Sequence, residues 1–150
     1  YPGRGNACAP GGGQMRVRDN DVEVDFVVRV PDGVTFFADN VNGGLEATGL
    51  SGRVELETVN GRATLETRGG DARAETVNGN INATVRGTGN GALRFETVNG
   101  TITVALPQGL GAAFDAETVN GMIVSDFPIT LSGRINPRHL RGQISQAFDR

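Results

Sequence analysis

The pentapeptide ETVNG occupies residues 57–61 and returns letter for letter at residues 75–79, 96–100 and 117–121. A looser copy, DNVNG, occupies residues 39–43. The copies begin at residues 39, 57, 75, 96 and 117, so the steps between them are 18, 18, 21 and 21 residues. A nearly fixed period of this length is the signature of a stacked repeat architecture. The motif therefore indicates one structural unit that recurs along the chain.

The residues around each copy alternate between apolar and polar side chains. Val54 and Leu56, for example, alternate with Arg53, Glu55 and Glu57. A period of two predicts strands with one buried face and one wet face. Aligning the repeats predicts two columns of inward side chains: Phe36, Val54, Ala72, Leu93 and Phe114 in the first, and Leu45, Ala63, Ile81, Ile102 and Ile123 in the second.

Two all-β folds satisfy this pattern. In an antiparallel meander, each Asn-Gly pair would form a two-residue hairpin turn. In a parallel β-solenoid (β-helix), each repeat would form one coil. We favour the solenoid, because a meander gives no reason for every second turn to keep one sequence while the other turns vary in length. The expected fold is therefore a single parallel β-solenoid with coils of 18–21 residues, which we expect to be right-handed.

The ETVNG copies are expected to form the same corner in successive coils. Their asparagines would bond to one another in a ladder, because like residues stack about 4.8 Å apart along the axis. Asparagine and glycine also tolerate the left-handed backbone that a sharp corner needs. The valine is expected to fill the corner, and the threonine hydroxyl to bond to buried backbone groups. The predicted corner residues are Asn42, Gly43, Asn60, Gly61, Asn78, Gly79, Asn99, Gly100, Asn120 and Gly121.

The composition fits this fold and excludes some classes of partner. Glycine accounts for 23 of the 150 residues, a high share that suits a chain with many tight turns. The net charge is −3 with both signs interspersed, which argues against a nucleic-acid partner, since that would call for a basic stripe. No apolar run reaches the roughly 18 residues of a membrane span. Cys8 is the single cysteine, so no internal disulfide is possible.

The ends of the chain depart from the repeat. Residues 1–20 begin with a Gly/Pro-rich stretch and are expected to form a flexible arm, followed by the solenoid domain over residues 21–150. A solenoid needs its last coils covered, and the apolar run at 22–30 predicts a capping strand. Residues 128–150 are expected to be irregular, with a short strand candidate at 143–148.

Several segments resemble a known family. They are the repeated ETVNG, the preceding LSGRV at 50–54, the strand and turn VRVPDGV at 28–34, and a tail that includes SGR at 132–134 and HLRGQI at 139–144. Together they resemble the adhesin-like β-strand-repeat proteins of bacteria, a family of unknown function. The resemblance implies a β-solenoid that is secreted or held in the cell envelope, with no known catalytic residues.

Four outward glutamates are the candidate ligand or ion column. Glu57, Glu75, Glu96 and Glu117 would stack in one line, where like charges repel and a counter-ion such as Ca²⁺ could bind. The alternative is a solvated column paired with nearby arginines. His139 lacks the nucleophile and acid that a catalytic histidine needs nearby in the sequence, so a surface role is expected. We therefore expect no catalytic, cofactor-binding or metal residues.

Three classes of function remain open at this point. The first is a non-enzymatic, exported structural or adhesin-like solenoid that assembles with itself end to end, into oligomers or extracellular filaments. The second is a binding module for a glycan or peptide of the cell surface or matrix, although the outward aromatics that a glycan site uses would be limited to Tyr1 and Phe37. The third is a polysaccharide-cleaving β-helix enzyme, which would have to use the glutamate column.

Overall fold

A computed structural model describes residues 25–69, 71–87, 91–107, 109–125, 135–136 and 138–144. It contains twelve strands: β1 (Phe36–Asn42), β2 (Leu45–Leu50), β3 (Val54–Asn60), β4 (Ala63–Thr67), β5 (Ala72–Asn78), β6 (Ile81–Val85), β7 (Ala92–Asn99), β8 (Ile102–Ala105), β9 (Ala112–Asn120), β10 (Ile123–Ser125), β11 (Ile135–Asn136) and β12 (His139–Ile144).

The strands form two sheets, which we call sheet A and sheet B. Sheet A has the order β1-β3-β5-β7-β9-β12-β11, and sheet B has the order β10-β8-β6-β4-β2. Odd-numbered strands β1 to β9 pair in parallel, and so do even-numbered strands β2 to β10. The chain therefore alternates between the sheets and winds through five coils, or rungs. This confirms the parallel β-solenoid and excludes the antiparallel meander; the handedness of the coils stays a prediction.

The core lies between the two sheets and includes both predicted columns together with further inward side chains of the same strands. Val54 pairs with Phe36 below it and with Ala72 above it, and Ala63 likewise lies between Leu45 and Ile81. Phe95 is fully buried and packs against Phe114 of the next rung, with ring centroids 6.1 Å apart. Small residues lie beside these rings: Phe95 is flanked in its own column by Ala74 and Ala116. Large and small side chains thus alternate to fill the space between the sheets.

Four of the five corner glycines are required for close stacking rather than for a left-handed backbone. Gly61, Gly79, Gly100 and Gly121 do not have positive φ angles, so that part of the prediction is wrong for them, whereas Gly43 at the end of the stack has a φ of 130°. Instead, a Cβ on Gly79 would lie 1.8 Å from the carbonyl oxygen of Gly61, and a Cβ on each of the other three would lie 1.9 Å from the carbonyl oxygen of the glycine one rung below. Each corner therefore rests directly on the backbone of the previous corner.

The threonine of each ETVNG copy bonds to this same carbonyl. The hydroxyl of Thr76 donates to the Gly61 oxygen at 3.1 Å, and Thr58, Thr97 and Thr118 make the equivalent bond at 3.0–3.2 Å. These threonines are at most 4% exposed. The hydroxyl therefore satisfies a carbonyl inside the corner, as the sequence predicts.

The asparagine ladder is also confirmed. Each Nδ2 donates to the Oδ1 of the asparagine one rung below, at 2.8–3.0 Å, from Asn120 down to Asn42. The backbone ladder continues through the corner as well, because the N–H of Gly61 donates to the Asn78 carbonyl at 3.1 Å. Side chains and backbone together hold the rungs in one register.

Replacing Asn78 with alanine is expected to lower the free energy of unfolding by about 1–2 kcal/mol, because it removes two ladder bonds whose partners are exposed to water. Asn42 is the matched control, since it accepts one such bond at the end of the ladder; Asn42→Ala should cost about half as much. Urea unfolding monitored by circular dichroism measures both. Equal losses at the two positions would show that the ladder bonds do not act as described.

The two ends of the stack differ from the predictions. Residues 25–30, the described part of the predicted capping strand, lie in no strand, and Phe26 and Val27 are 86% and 89% exposed. A β-prone run becomes a strand only where a neighbouring edge takes up its hydrogen bonds, and no described strand does so here. Residues 22–24, the predicted arm at 1–20 and its Cys8 lie outside the described residues.

The C-terminal segment is more regular than predicted. Strand β12 pairs antiparallel with β9, from His139 opposite Glu117 to Ile144 opposite Ala112, and β11 pairs antiparallel with β12. A chain that turns back in this way ends the parallel stacking of sheet A and covers the β9 edge. Part of the segment 128–150 is therefore a cap, and the strand begins four residues earlier than the predicted 143–148; residues 145–150 lie outside the described residues.

Candidate functional site

Sheet A presents three outward columns with the rung spacing. The first contains Phe37, Glu55, Arg73, Arg94 and Asp115, and the second contains Asp39, Glu57, Glu75, Glu96 and Glu117. The third consists of the valines that lie two residues after each acid of the second column: Val41, Val59, Val77, Val98 and Val119. The strand register thus lines up the repeated motif on one surface.

A groove of about 490 Å³ runs between the second and third columns. We call it the valine–carboxylate groove. Threonines of the strands contribute to its lining, which consists of Asp39, Glu57, Thr58, Val59, Glu75, Thr76, Val77, Glu96, Thr97, Val98, Glu117 and Val119. All four predicted column glutamates therefore belong to one surface feature.

The valines lie on the outer surface, which overturns the prediction that they fill the corners. Val59, Val77 and Val98 are 39–40% exposed, and Val119 is 52% exposed. The reason is the strand alternation: position 59 has the same parity as Glu57, so both side chains leave the sheet on the same side. Threonine, at the position between them, points into the corner instead.

Arginines of the first column hold two of the glutamates. Arg73 donates through Nε to Glu75 at 2.7 Å and through Nη1 to Glu55, one rung below, also at 2.7 Å. Arg94 makes the equivalent ion pair with Glu96 on its own strand. Partly exposed pairs of this kind contribute about 0–1 kcal/mol each, so their main effect is to fix the carboxylates in place. This agrees with the alternative of a glutamate column paired with arginines, for these two positions.

The ends of the acidic column have different surroundings. Within the described residues, Asp39 and Glu57 make no side-chain hydrogen bond or ion pair. At the other end, Nδ1 of His139 lies 3.7 Å from Glu117, and Nε2 lies 3.5 Å from Asp115. Pairing of β12 with β9 creates this cluster, which the sequence does not reveal because the acids precede His139 by more than 20 residues.

Partial burial and the neighbouring carboxyl group change the acidity of Glu96. Partial burial of Glu96, followed by its contact with the Glu75 carboxylate, raises its pKa above the ordinary glutamate value despite the nearby Arg94. On sheet B, by contrast, the hydrogen bond from Arg86 lowers the pKa of the partly exposed Glu66. The groove is therefore a place where additional negative charge is unfavourable.

These two shifts predict opposite dependences of stability on pH. A raised folded-state pKa gives a contribution that is full at acidic pH and is lost as the pH rises through that pKa, whereas a lowered pKa gives a contribution that is lost as the pH falls. The free energy of unfolding of wild type minus that of Glu96→Gln should therefore decrease from about pH 4 to about pH 7. The same difference for Glu66→Gln should increase over this range. Urea unfolding at several pH values tests this, and slopes of the same sign would contradict it.

The described residues contain no group of three or more His, Cys, Asp or Glu side chains arranged to hold a metal ion. The acids of the groove lie in a line, one per rung, instead of converging on a point. Within the described residues, the predicted ion column therefore contains no group of side chains that converge on one metal ion. The described residues also contain no helix of the length and apolarity that crossing a membrane requires.

Sequence reasoning finds the glutamates of the groove but misses its apolar wall and its first acid. Both the valines and Asp39 could have been assigned to the groove from the sequence. Parity along the strand places each valine on the face of the glutamate, and alignment of DNVNG with ETVNG places Asp39 in the column of Glu57. Comparison of this chain with protein families, curated proteins and solved structures gives no match.

Proposed function

We propose that this protein is a non-enzymatic, exported structural β-solenoid of the adhesin-like kind, located in the bacterial cell envelope or outside the cell. The observation that carries the proposal is the outer face of sheet A, which repeats the same three side-chain positions over five rungs in unbroken register. Such a surface suits a partner that is itself extended or repetitive. The resemblance of the ETVNG repeats to adhesin-like proteins supports the same role.

End-to-end contact is the form of self-association that the strand order favours. Strands β1 and β2 are the outermost strands of the two sheets at one end, and no described strand pairs with their free edges. An unpaired edge offers backbone donors and acceptors to another chain. At the other end the antiparallel strand β12 covers β9, and the outermost strands are the short β10 and β11. Because β1 and β2 offer longer edges than β10 and β11, we expect two copies to meet through their β1 and β2 edges in a closed two-fold dimer.

One substitution would block this contact and leave the fold intact. The Phe36 N–H donates to the Arg53 carbonyl of β3, so the next residue, Phe37, directs its N–H away from β3. Phe37→Pro therefore removes a donor from the free edge without removing a bond to β3, and proline is tolerated on edge strands.

Light scattering after size-exclusion chromatography, with electron microscopy of the same samples, tests the self-association. Wild type should form dimers that increase with concentration, and Phe37→Pro should stay monomeric with an unchanged circular dichroism spectrum. Wild-type monomers at every concentration would contradict the proposed association. Filaments would show that the β12 end also pairs with other copies.

The second candidate is a binding module for a peptide or glycan of the cell envelope, and the valine–carboxylate groove is the observation that favours it. Phe37, 57% exposed, is the exposed aromatic residue on the described outer face of sheet A. Glycan sites use aromatic faces for stacking, so the groove suits an aliphatic, cationic ligand better than a sugar. A specific hit on a glycan array would reverse that order.

A further inference from the structure

The shape of the valine–carboxylate groove limits what can lie in it. Its walls rise from positions two residues apart on each strand, a separation of roughly 6.6 Å. Its length covers five rungs, or about 19 Å at the usual strand spacing. The floor is the strand backbone at the threonines, whose hydroxyls point into the corner. The groove is therefore a straight slot about one side chain wide, which suits an unbranched chain lying along the solenoid axis.

One wall of the slot is apolar. Val59, Val77 and Val98 each leave about 40% of their surface exposed, and they follow one another at every rung. A continuous line of exposed valines gives a ligand with methylene groups a surface to bury.

The other wall is anionic and only partly neutralised. Five carboxylates line it, and Arg73 and Arg94 pair with two of them. Asp39 and Glu57 make no ion pair with a described residue. Partial burial, followed by its contact with the Glu75 carboxyl group, raises the pKa of Glu96, so a negative charge at this position is less favourable than in water. A cation in the slot would stabilise the charged form of these carboxylates.

The two walls together select one chemical class. A second copy of the chain would bring its own carboxylates against these, and a peptide strand carries side chains on both sides that a slot of this width does not accept. A linear polyamine carries ammonium groups separated by three or four methylenes, a spacing of roughly 5–6 Å from ordinary bond lengths, close to the rung spacing of about 4.8 Å.

We propose that the valine–carboxylate groove binds a linear aliphatic polyamine, with its ammonium groups facing Asp39, Glu57 and Glu75 and its methylene chain lying on the valines. This site is independent of the end-to-end association, because it lies on the lateral face of the solenoid. Binding should strengthen with the number of amines and weaken with added salt, since each ammonium meets a further carboxylate of the column.

Isothermal titration calorimetry at low salt with spermine, spermidine and putrescine tests the proposal. The charge wall is tested by Glu57→Gln, which should weaken spermine binding by about fivefold or more. Glu66→Gln is the matched control, because it changes the net charge equally but lies on sheet B, outside the groove; its binding should stay within about twofold of wild type. The apolar wall is tested by Val77→Thr, a substitution of similar shape, which should also weaken binding.

Four results would overturn the proposal: no heat of binding at millimolar spermine, equal losses for Glu57→Gln and Glu66→Gln, unchanged binding in Val77→Thr, or tighter binding of oligolysine than of spermine. The second result would mean general charge attraction, and the last would mean that the groove takes a basic peptide. Circular dichroism of each variant separates a lost site from a lost fold. A dimer that forms normally while spermine fails to bind would reject the groove proposal alone.

Discussion

Gly79→Ala is expected to destabilise the folded chain by about 3 kcal/mol or more. The added Cβ would lie 1.8 Å from the carbonyl oxygen of Gly61 and 2.6 Å from its carbon, and these are backbone atoms that cannot rotate away. Relieving the contact requires the two rungs to separate at the corner. That movement would stretch the Thr76–Gly61 hydrogen bond and the backbone bond from Gly61 to Asn78.

Gly44→Ala is the matched control, since Gly44 lies near the same row of corners. A Cβ there meets the Arg62 carbonyl oxygen at 3.4 Å, an ordinary contact, and the φ angle of Gly44 is not positive. Alanine at this position should leave stability unchanged or raise it by up to about 1 kcal/mol through the unfolded chain. Urea unfolding of both variants gives the comparison. Similar effects at Gly44 and Gly79 would mean that the corners do not rest on one another.

Phe95→Ala should cost about 3–5 kcal/mol, the usual loss for a large aromatic residue removed from a core. Phe95 is completely buried between Ala74 and Ala116 of the neighbouring rungs and contacts the ring of Phe114. Its alanine neighbours are too short to fill the space, so a cavity would remain. The loss should appear as a lower midpoint of urea unfolding with a similar slope.

Phe37→Ala provides the control for this prediction. Phe37 is 57% exposed on the outer face of β1, so its removal from the monomer should change stability by no more than about 0.5 kcal/mol. Equal losses at Phe37 and Phe95 would contradict the assignment of inner and outer faces. Measurements at low protein concentration keep any end-to-end association from affecting the result.

The strands and core could be predicted from the sequence because two periods coincide in it. Alternation of Val54 and Leu56 with charged residues specifies which face is buried, and the steps of 18 and 21 residues specify which strands are neighbours. The stacked arrangement accounts for both, whereas an antiparallel meander gives no reason for the repeat of every second turn. The asparagine ladder and the threonine bonds follow directly from that stacking, and the structure confirms them.

The role of the corner glycines could not be predicted from the sequence, because it depends on a contact between the corners of successive rungs. Any turn can use glycine for its backbone freedom, so the motif alone favours that explanation. The contact of Gly79 with the Gly61 carbonyl joins residues 18 positions apart and exists only after the rungs have stacked. The prediction for the valines is wrong for another reason. It gives them a role inside the corner, although the alternation of side chains along the strand places them on the outer face, with the glutamates.

The ends of the chain were predicted least well, because no repeated sequence there indicates which segments are neighbours. The run at 22–30 has the composition of a strand, yet its described part finds no partner edge. The segment HLRGQI of β12 alternates polar residues with Leu140, Gly142 and Ile144, but it lies outside the repeat, and it forms a strand because the β9 edge is available. Whether an edge is free to pair depends on how the sheets assemble, so composition alone gives the wrong prediction for both segments. His139 joins the acidic column through this pairing alone.

Disulfide trapping tests the central claim, that the ETVNG copies are stacked corners of one parallel solenoid. In a Cys8→Ser background, Glu57→Cys with Glu75→Cys should form an intramolecular disulfide on mild oxidation. These residues are direct neighbours on β3 and β5, about 4.8 Å apart and within the usual Cα range for a disulfide, roughly 4.4–6.8 Å. Glu57→Cys with Thr64→Cys should stay reduced, because Thr64 lies on β4 in the opposite sheet. In an antiparallel hairpin with Asn60 and Gly61 as its turn, residues 57 and 64 would face each other; a disulfide in this second pair and none in the first would contradict the account.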